Sequence, residues 1–401
     1  MKIPFSPPYI DDSVIDEVVD SLKSGWITTG PKVKALEQEI KSFSGAQEVL
    51  CVNSWTSGAI MMLKWLGLKA GDEVIVPAYT YSATALAVIH AGGIPVMVDT
   101  CEDFNISVEA IEKAITPRTK AIIPVDFAGY PCDYDAIKAV VERKKGLFVA
   151  ETEAQKRLGR IMILSDAAHS IGAIYNGKHT GCQADVVIFS LHAVKNVTTA
   201  EGGAICLNLP ETFDNAEIYH VLRTMSLNCQ TKDAFSKSQA GGWRYDIIGL
   251  GMKINMADVN AAIGLAQIRE YSKLLNDRKR IFERYDKAFS TCGWAITPPS
   301  HTENKDSSYH VYALRLKGVD ETDRDQIITE ISRHDVSVNV HFIPMPMLTY
   351  FFALGYKIQD YPQAYKNFSG EISLPIYPQL TDEQIDYIID VVKVSYKAVI
   401  R

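Results

Sequence analysis

From Ser165 to Ile205 the chain reads SDAAHSIGAIYNGKHTGCQADVVIFSLHAVKNVTTAEGGAI. Asp166 follows the apolar run Ile161-Met162-Ile163-Leu164. Lys195 follows a second run, Val186-Val187-Ile188-Phe189, in a segment ending with the paired glycines Gly202 and Gly203. Short runs rich in Val and Ile have the length of buried strands. A lone aspartate after a strand is commonly a helix cap, and a lone lysine is commonly a solvated surface charge. Finding both just past strand ends alters that balance, because open α/β sheets gather their ligands there.

Five further runs have the same character: Val49–Val52, Val74–Val76, Pro95–Val98, Ala121–Val125 and Ala204–Leu207, with helical patterns between them. Such alternation predicts an α/β fold, a mostly parallel central sheet with helices on both faces. A lysine at a strand end can form a Schiff base with an aldehyde. A nearby acid can keep a pyridine nitrogen protonated, so that the ring withdraws electrons. The pair therefore suits pyridoxal 5'-phosphate. After the first run, Asn53-Ser54-Trp55-Thr56-Ser57-Gly58-Ala59 leads into the apolar helix Ile60–Leu66. Hydroxyls and free amides at a helix start suit a phosphate, although Ser and Thr there also act as plain caps. Tyr79 and Tyr81 follow the second run, either as core side chains or as a ring for a flat ligand.

The motifs DAAHSIGA, FSLHAVKN and TTAEGGA resemble those of the sugar aminotransferases of the DegT/DnrJ/EryC1/StrS family, a fold-type-I group of pyridoxal phosphate enzymes. The resemblance runs from IPFSPP near residue 3 to SLPIYPQLTDEQ near residue 384. It implies that Lys195 anchors the cofactor and moves protons, and that Asp166 faces the pyridine nitrogen. It implies Thr56, Ser57, Gly58 and Ser190 at the phosphate, Tyr81 against the ring, and His169 near the phenolic oxygen. Thr28 and Thr29 of the loop 25–31, together with His341, are implied near the sugar. Where many relatives carry an Asn that reaches the neighbouring subunit's phosphate, this chain has Lys253 and Asn255, so Lys253 is expected to take that contact. A homodimer with shared sites follows from the same resemblance.

The chain departs from its relatives at Asp126, where His is common, at Leu191, where Phe is common, and at Pro346, where another His is common. Asp126 is accordingly given no catalytic role. The relatives that dehydrate sugars carry His in place of the lysine, so Lys195 favours amino transfer. The implied reaction moves an amino group from L-glutamate to a nucleotide-linked keto sugar, for surface polysaccharide or glycan synthesis. The expected acceptor is a UDP-2-acetamido-4-keto-6-deoxyhexose, aminated at C4. A pyridoxal phosphate-dependent dehydratase or lyase, and a non-catalytic protein of the same fold, remain open at this point.

With 401 residues, the chain is long enough for two domains. A large cofactor-binding domain is expected over 1–255 and a smaller C-terminal α/β domain over 256–401. Forty-one basic against 48 acidic residues give a net charge of -7, which disfavours general attraction to nucleic acid. No run approaches a membrane span, and MKIPFSPPYIDD lacks an apolar signal core. Seven scattered cysteines without metal-ligand spacing suggest a reduced, cytoplasmic setting and no metal. Val14, Ile15, Val18, Val19 and Leu22 predict an amphipathic helix over 11–24. Further expectations are an exposed helix within 142–160, a polar excursion from Arg223 to Tyr245, helices over 257–268 and 267–290, and strands over 309–316 and 336–342.

Overall fold

The computed structural model describes residues 1–232 and 243–400, so part of the polar excursion, 233–242, lies outside the described residues. Each of the seven apolar runs becomes one strand of a single sheet. From edge to edge the order is Glu48–Val52, Gly203–Leu207, Val186–Ser190, Met162–Asp166, Thr119–Ile122, Glu73–Pro77 and Ile94–Val98. Only Gly203–Leu207 runs antiparallel to its neighbours; the other pairings are parallel. Successive residues of a strand face opposite sides of the sheet. Val186 and Ile188 accordingly enter one apolar cluster, while Val187 and Phe189 enter the other. Burial on both faces explains why the runs read as continuous rather than alternating.

A third cluster lies beyond the sheet. The 32-residue helix Asp258–Phe289 joins the two regions, because no proline breaks it. Its Ala261, Ile268, Tyr271 and Leu274 pack in the sheet's core. Ile281, Phe282, Tyr285 and Phe289 pack against Tyr312, Leu314, Ile372 and Leu374 in the third cluster. The two helices expected over 257–268 and 267–290 are thus one. The four partners belong to an antiparallel sheet of Ala295–Ile296, Tyr312–Leu316 and Glu371–Leu374. The N-terminus contributes to the same cluster through Ile3, which bridges Val336.

Two further expectations differ from what is observed. The connection 142–160 is not one helix. Tyr134–Arg143 ends there and Glu153–Leu158 begins anew, capped by Thr152. Thr152 Oγ1 and the Gln155 amide both donate to the Leu66 carbonyl, at 2.8 and 3.1 Å, and that anchor fixes the break. The segment 336–342 is not a strand and makes only isolated bridges at Val336 and Asn339. Asn339 Oδ1 accepts the Val340 N–H at 2.8 Å, a local bond that competes with a ladder. The helix expected over 11–24 is present as Asp12–Lys23 with Asp11 as its cap, and much of its apolar face is uncovered. Val14 is buried, while Ile15, Val19 and Leu22 are 50%, 37% and 55% exposed. Among the described residues no helix is long and apolar enough to cross a membrane.

Candidate active site

Beyond the carboxyl ends of the parallel strands lies a cavity of about 590 Å³, within the usual range for small-molecule sites. Asp166 ends its strand and is 5% exposed. Its Oδ2 accepts from Thr84 Oγ1 at 2.9 Å, and its Oδ1 accepts the Ala168 N–H at 3.2 Å. Burial pushes its pKa up to about 7, although both bonds and the charge of Lys195 pull it down. Lys195 lines the same cavity; burial brings its amine down to about 8, and Asp166 opposes that shift. Burial thus holds the carboxyl above the usual carboxylate range and the amine below the usual lysine range, each partly offset by the other's charge.

His169, 6% exposed, also lines the cavity. Its Nδ1 accepts the Ala128 N–H at 3.2 Å. A backbone N–H can only donate, so Nδ1 is unprotonated and Nε2 carries the hydrogen. Burial, aided by Lys195 and His341, holds the ring neutral, its pKa well below the usual 6.5. His169 is therefore a fixed N–H donor.

The helix Trp55–Leu66 opens at the cavity with Ser54 as its cap, accepting the Ser57 N–H at 3.1 Å. Ser54, Trp55 and Thr56 line the cavity, as does Ser190 at the end of its strand. Ser57 and Gly58 are not among the lining residues. Ser57 Oγ receives the Ser54 hydroxyl at 2.9 Å. Gly58 lies against the sheet, where an added Cβ would stand 3.2 Å from Ile205 and 3.3 Å from Val52. Gly203 permits a tighter approach, since a Cβ there would lie 2.7 Å from the backbone of Ser54 and Trp55. The buried indole N–H of Trp55 has no partner among the described residues. Available donors at this helix start, the buried acid and the neutral His169 donor together fit pyridoxal phosphate. Thr56, Ser190 and the helix amides would hold its phosphate, Asp166 its ring nitrogen, and Lys195 its aldehyde.

Tyr81, 63% exposed, lines the cavity with its ring centre 5.9 Å from that of Phe342, which in turn stacks on His169 at 5.9 Å. Tyr79 is buried, and its hydroxyl donates to the His341 carbonyl at 2.6 Å. His341 joins the wall from the opposite side of the sequence. Thr28, Thr29 and Lys253 are not in this wall. They form a separate group: Lys253 Nζ donates to Asn255 Oδ1, and the Asn255 amide donates to Thr29 Oγ1 at 2.6 Å. The Thr29 hydroxyl donates to the Met256 carbonyl, and the Asp258 N–H donates to the Thr28 carbonyl at 3.2 Å. The Asp126 oxygens accept from Tyr134, Cys132 and Ser170.

His310 is a cavity residue that the sequence did not single out. The Asn196 amide donates to the Ser308 carbonyl at 2.8 Å, so its Oδ1 faces His310 Nδ1 at 2.8 Å and receives that proton. Nε2 of His310 is thereby an acceptor. The available signal was weak: one polar residue in the alternating run 309–316, far in sequence from the lysine motif and its Asn196.

The model of the DegT/DnrJ/EryC1/StrS aminotransferase family matches residues 8–393. The spore coat polysaccharide biosynthesis protein SpsC of Bacillus subtilis is 37% identical, covering 98% of this chain and 96% of that protein. The uncharacterized protein MJ1066 of Methanocaldococcus jannaschii is 38% identical over 97% of both. Among solved structures, Spr1654 of Streptococcus pneumoniae, assigned as a sugar aminotransferase, superposes in its PMP form with a TM-score of 0.96. It is 44% identical and covers all of both chains; its PLP form gives the same TM-score at 42% identity. The chain belongs to the DegT/DnrJ/EryC1/StrS aminotransferase family.

Proposed function

We propose that this protein is a pyridoxal phosphate-dependent sugar aminotransferase that moves an amino group from L-glutamate to C4 of a UDP-linked 2-acetamido-4-keto-6-deoxyhexose. The observation that carries the reading is one cavity lined by the buried Asp166, at the end of its strand, and by Lys195, in the loop that follows the neighbouring strand. The bound cofactor supplies an electron sink for the carbon that loses its proton. Asp166 supplies the negative charge that keeps the sink's ring nitrogen protonated. Lys195, with its pKa brought down to about 8, would take the proton from the amino donor's Cα as base and give it back as acid. The Nε2–H of His169 would be available to the cofactor's phenolic oxygen. SpsC is a spore coat polysaccharide biosynthesis protein, which supports a surface-glycan role for this relative.

The working unit in this reading is a homodimer. Thr28, Thr29 and Lys253 cluster outside their own chain's cavity, consistent with service to the partner's site. Exposed apolar groups nearby support an interface: Trp243, Ile247, Ile248 and Leu250 are 70%, 52%, 65% and 92% exposed. Apolar side chains grouped in one exposed segment are a common mark of an interaction surface. The uncovered face of Asp12–Lys23 adds to the same argument.

A panel of UDP-, GDP- and dTDP-linked 3-keto and 4-keto sugars, offered to the pyridoxamine form and read by mass spectrometry, tests the substrate. The expected product is the UDP-linked 4-amino sugar. Turnover of a 3-keto sugar alone would overturn the C4 assignment, and a dehydrated product without nitrogen would overturn amino transfer itself.

A further inference from the structure

His341 reaches the cavity with a chain of buried groups behind it that the reaction above does not use. Its Nδ1 lies 2.8 Å from Ser373 Oγ, and Ser373 Oγ lies 2.5 Å from Glu371 Oε1. Glu371 Oε2 accepts the His341 N–H at 3.0 Å, which closes a ring of three groups. Glu371 and Ser373 are both fully buried, and they share a face because they are two apart on the strand Glu371–Leu374. The segment carrying His341 is tied to that strand by paired backbone bonds between Asn339 and Ser373, at 3.1 and 2.8 Å. Phe5 stacks on the imidazole at 5.6 Å. The ring is thus held in position, and Nε2 is its one nitrogen without a partner among the described residues.

A hydroxyl has a single proton, so this chain has two consistent arrangements. With Glu371 ionised, Ser373 donates to it, Nδ1 of His341 donates to Ser373, and Nε2 is an acceptor. With Glu371 protonated, it donates to Ser373, Ser373 donates to Nδ1, and Nε2 carries the hydrogen. Burial favours the second arrangement. It pushes Glu371 up to about 8, against the bonds from Ser373 and His341 and the charges of Arg324 and Arg315.

We propose that Glu371 and Ser373 are positioning residues that hold His341 as the Nε2–H tautomer, so that it donates to an oxygen of the keto-sugar acceptor. The inference rests on the reading of His341 as a substrate contact. It adds a pair of specificity-determining residues that touch neither substrate nor cofactor.

The test compares H341Q, S373A and E371Q in the full-length, cofactor-loaded enzyme. KM and kcat are measured for L-glutamate and for a UDP-linked 4-keto-6-deoxyhexose between pH 6.5 and 9, with the cofactor's absorbance as a check on the site. S373A is expected to raise the keto-sugar KM about tenfold, the loss of one hydrogen bond, and to leave the glutamate KM unchanged. The side-chain amide introduced by E371Q can donate to Ser373 and accept from His341, so this variant should keep a low KM at pH 7. Above about pH 8 the wild-type KM should climb while that of E371Q stays level. The groups facing Glu371 are Arg315 on the next strand, Arg324 on the helix Glu321–Arg333, Tyr79 and His341, and Lys195 acts in turn on His341. All are common to both proteins, so the difference isolates Glu371. E371Q as impaired as S373A, an alkaline rise equal to that of wild type, or an effect on the glutamate KM alone would overturn the proposal. A silent H341Q would remove the underlying reading as well. A defective H341Q with a silent S373A would remove only the relay.

Discussion

Asp166→Asn separates what the site costs the fold from what it gives the chemistry. In the folded chain burial lifts the carboxyl from 3.8 to about 7, so the native state holds this proton more tightly than the unfolded chain does. Asp166's contribution to stability is therefore intact below about pH 4, falls as pH rises from about 4 to about 7, and stays lost above that. About three pKa units correspond to roughly 4 kcal/mol for the cofactor-free protein at pH 8. Asparagine does not ionise. Its oxygen can still accept from Ala168, and Thr84 can turn its proton toward Thr80, whose hydroxyl is 3.3 Å away. The cofactor-free variant should thus be more stable than wild type at pH 8 by about 2–4 kcal/mol and roughly equal near pH 4.5. Urea unfolding at both pH values reads this directly; Glu37 and Glu371, also raised by burial, contribute equally to the two proteins. With cofactor bound the order reverses in function, because the amide supplies no charge for the ring nitrogen. The glutamate half-reaction, followed by the cofactor's absorbance, should slow on the order of 10²–10³-fold. Equal pH dependence of stability in the two proteins would refute the burial argument. A wild-type half-reaction rate would remove Asp166 from its electronic role.

Lys195→Ala should abolish covalent attachment of the cofactor while the fold persists, since the side chain faces the cavity and belongs to no apolar cluster. Borohydride reduction and peptide mapping of the wild type should place the label on Lys195, and label on another lysine would contradict the assignment. Lys253→Ala should weaken cofactor binding about 10–100-fold, the worth of one charge-assisted bond. Mixed dimers of Lys195→Ala with Lys253→Ala should recover activity, because one of their two sites carries neither lesion. Verified mixed dimers that stay inactive would return Lys253 to its own subunit's site or place it outside the sites.

The sheet was legible because every strand is covered on both faces, which makes each an uninterrupted apolar run with its chemistry at one end. Asp166 and Lys195 stood out because they follow strand ends, where such a sheet gathers its ligands; Ser190 and Thr56, which line the same cavity, were implied by the motif resemblance. What escaped depended on contacts distant in sequence. The pairing of His310 with Asn196 spans 114 positions, and the support of His341 by Ser373 spans 32. Neither leaves a spacing pattern. The break at 143–153 was hidden because its cause is a carbonyl at Leu66. The uncovered stripe of Asp12–Lys23 was read correctly as apolar, but periodicity says which face is apolar and not what covers it.

The most direct test of the account is the fate of one nitrogen atom. Cofactor-loaded enzyme is given ¹⁵N-labelled L-glutamate and a UDP-linked 2-acetamido-4-keto-6-deoxyhexose, and both products are examined by mass spectrometry and NMR. The account predicts 2-oxoglutarate and a sugar nucleotide carrying the ¹⁵N at C4, formed in equal amounts. Consumption of the keto sugar without ¹⁵N in the product, or of glutamate without any aminated sugar, would contradict it.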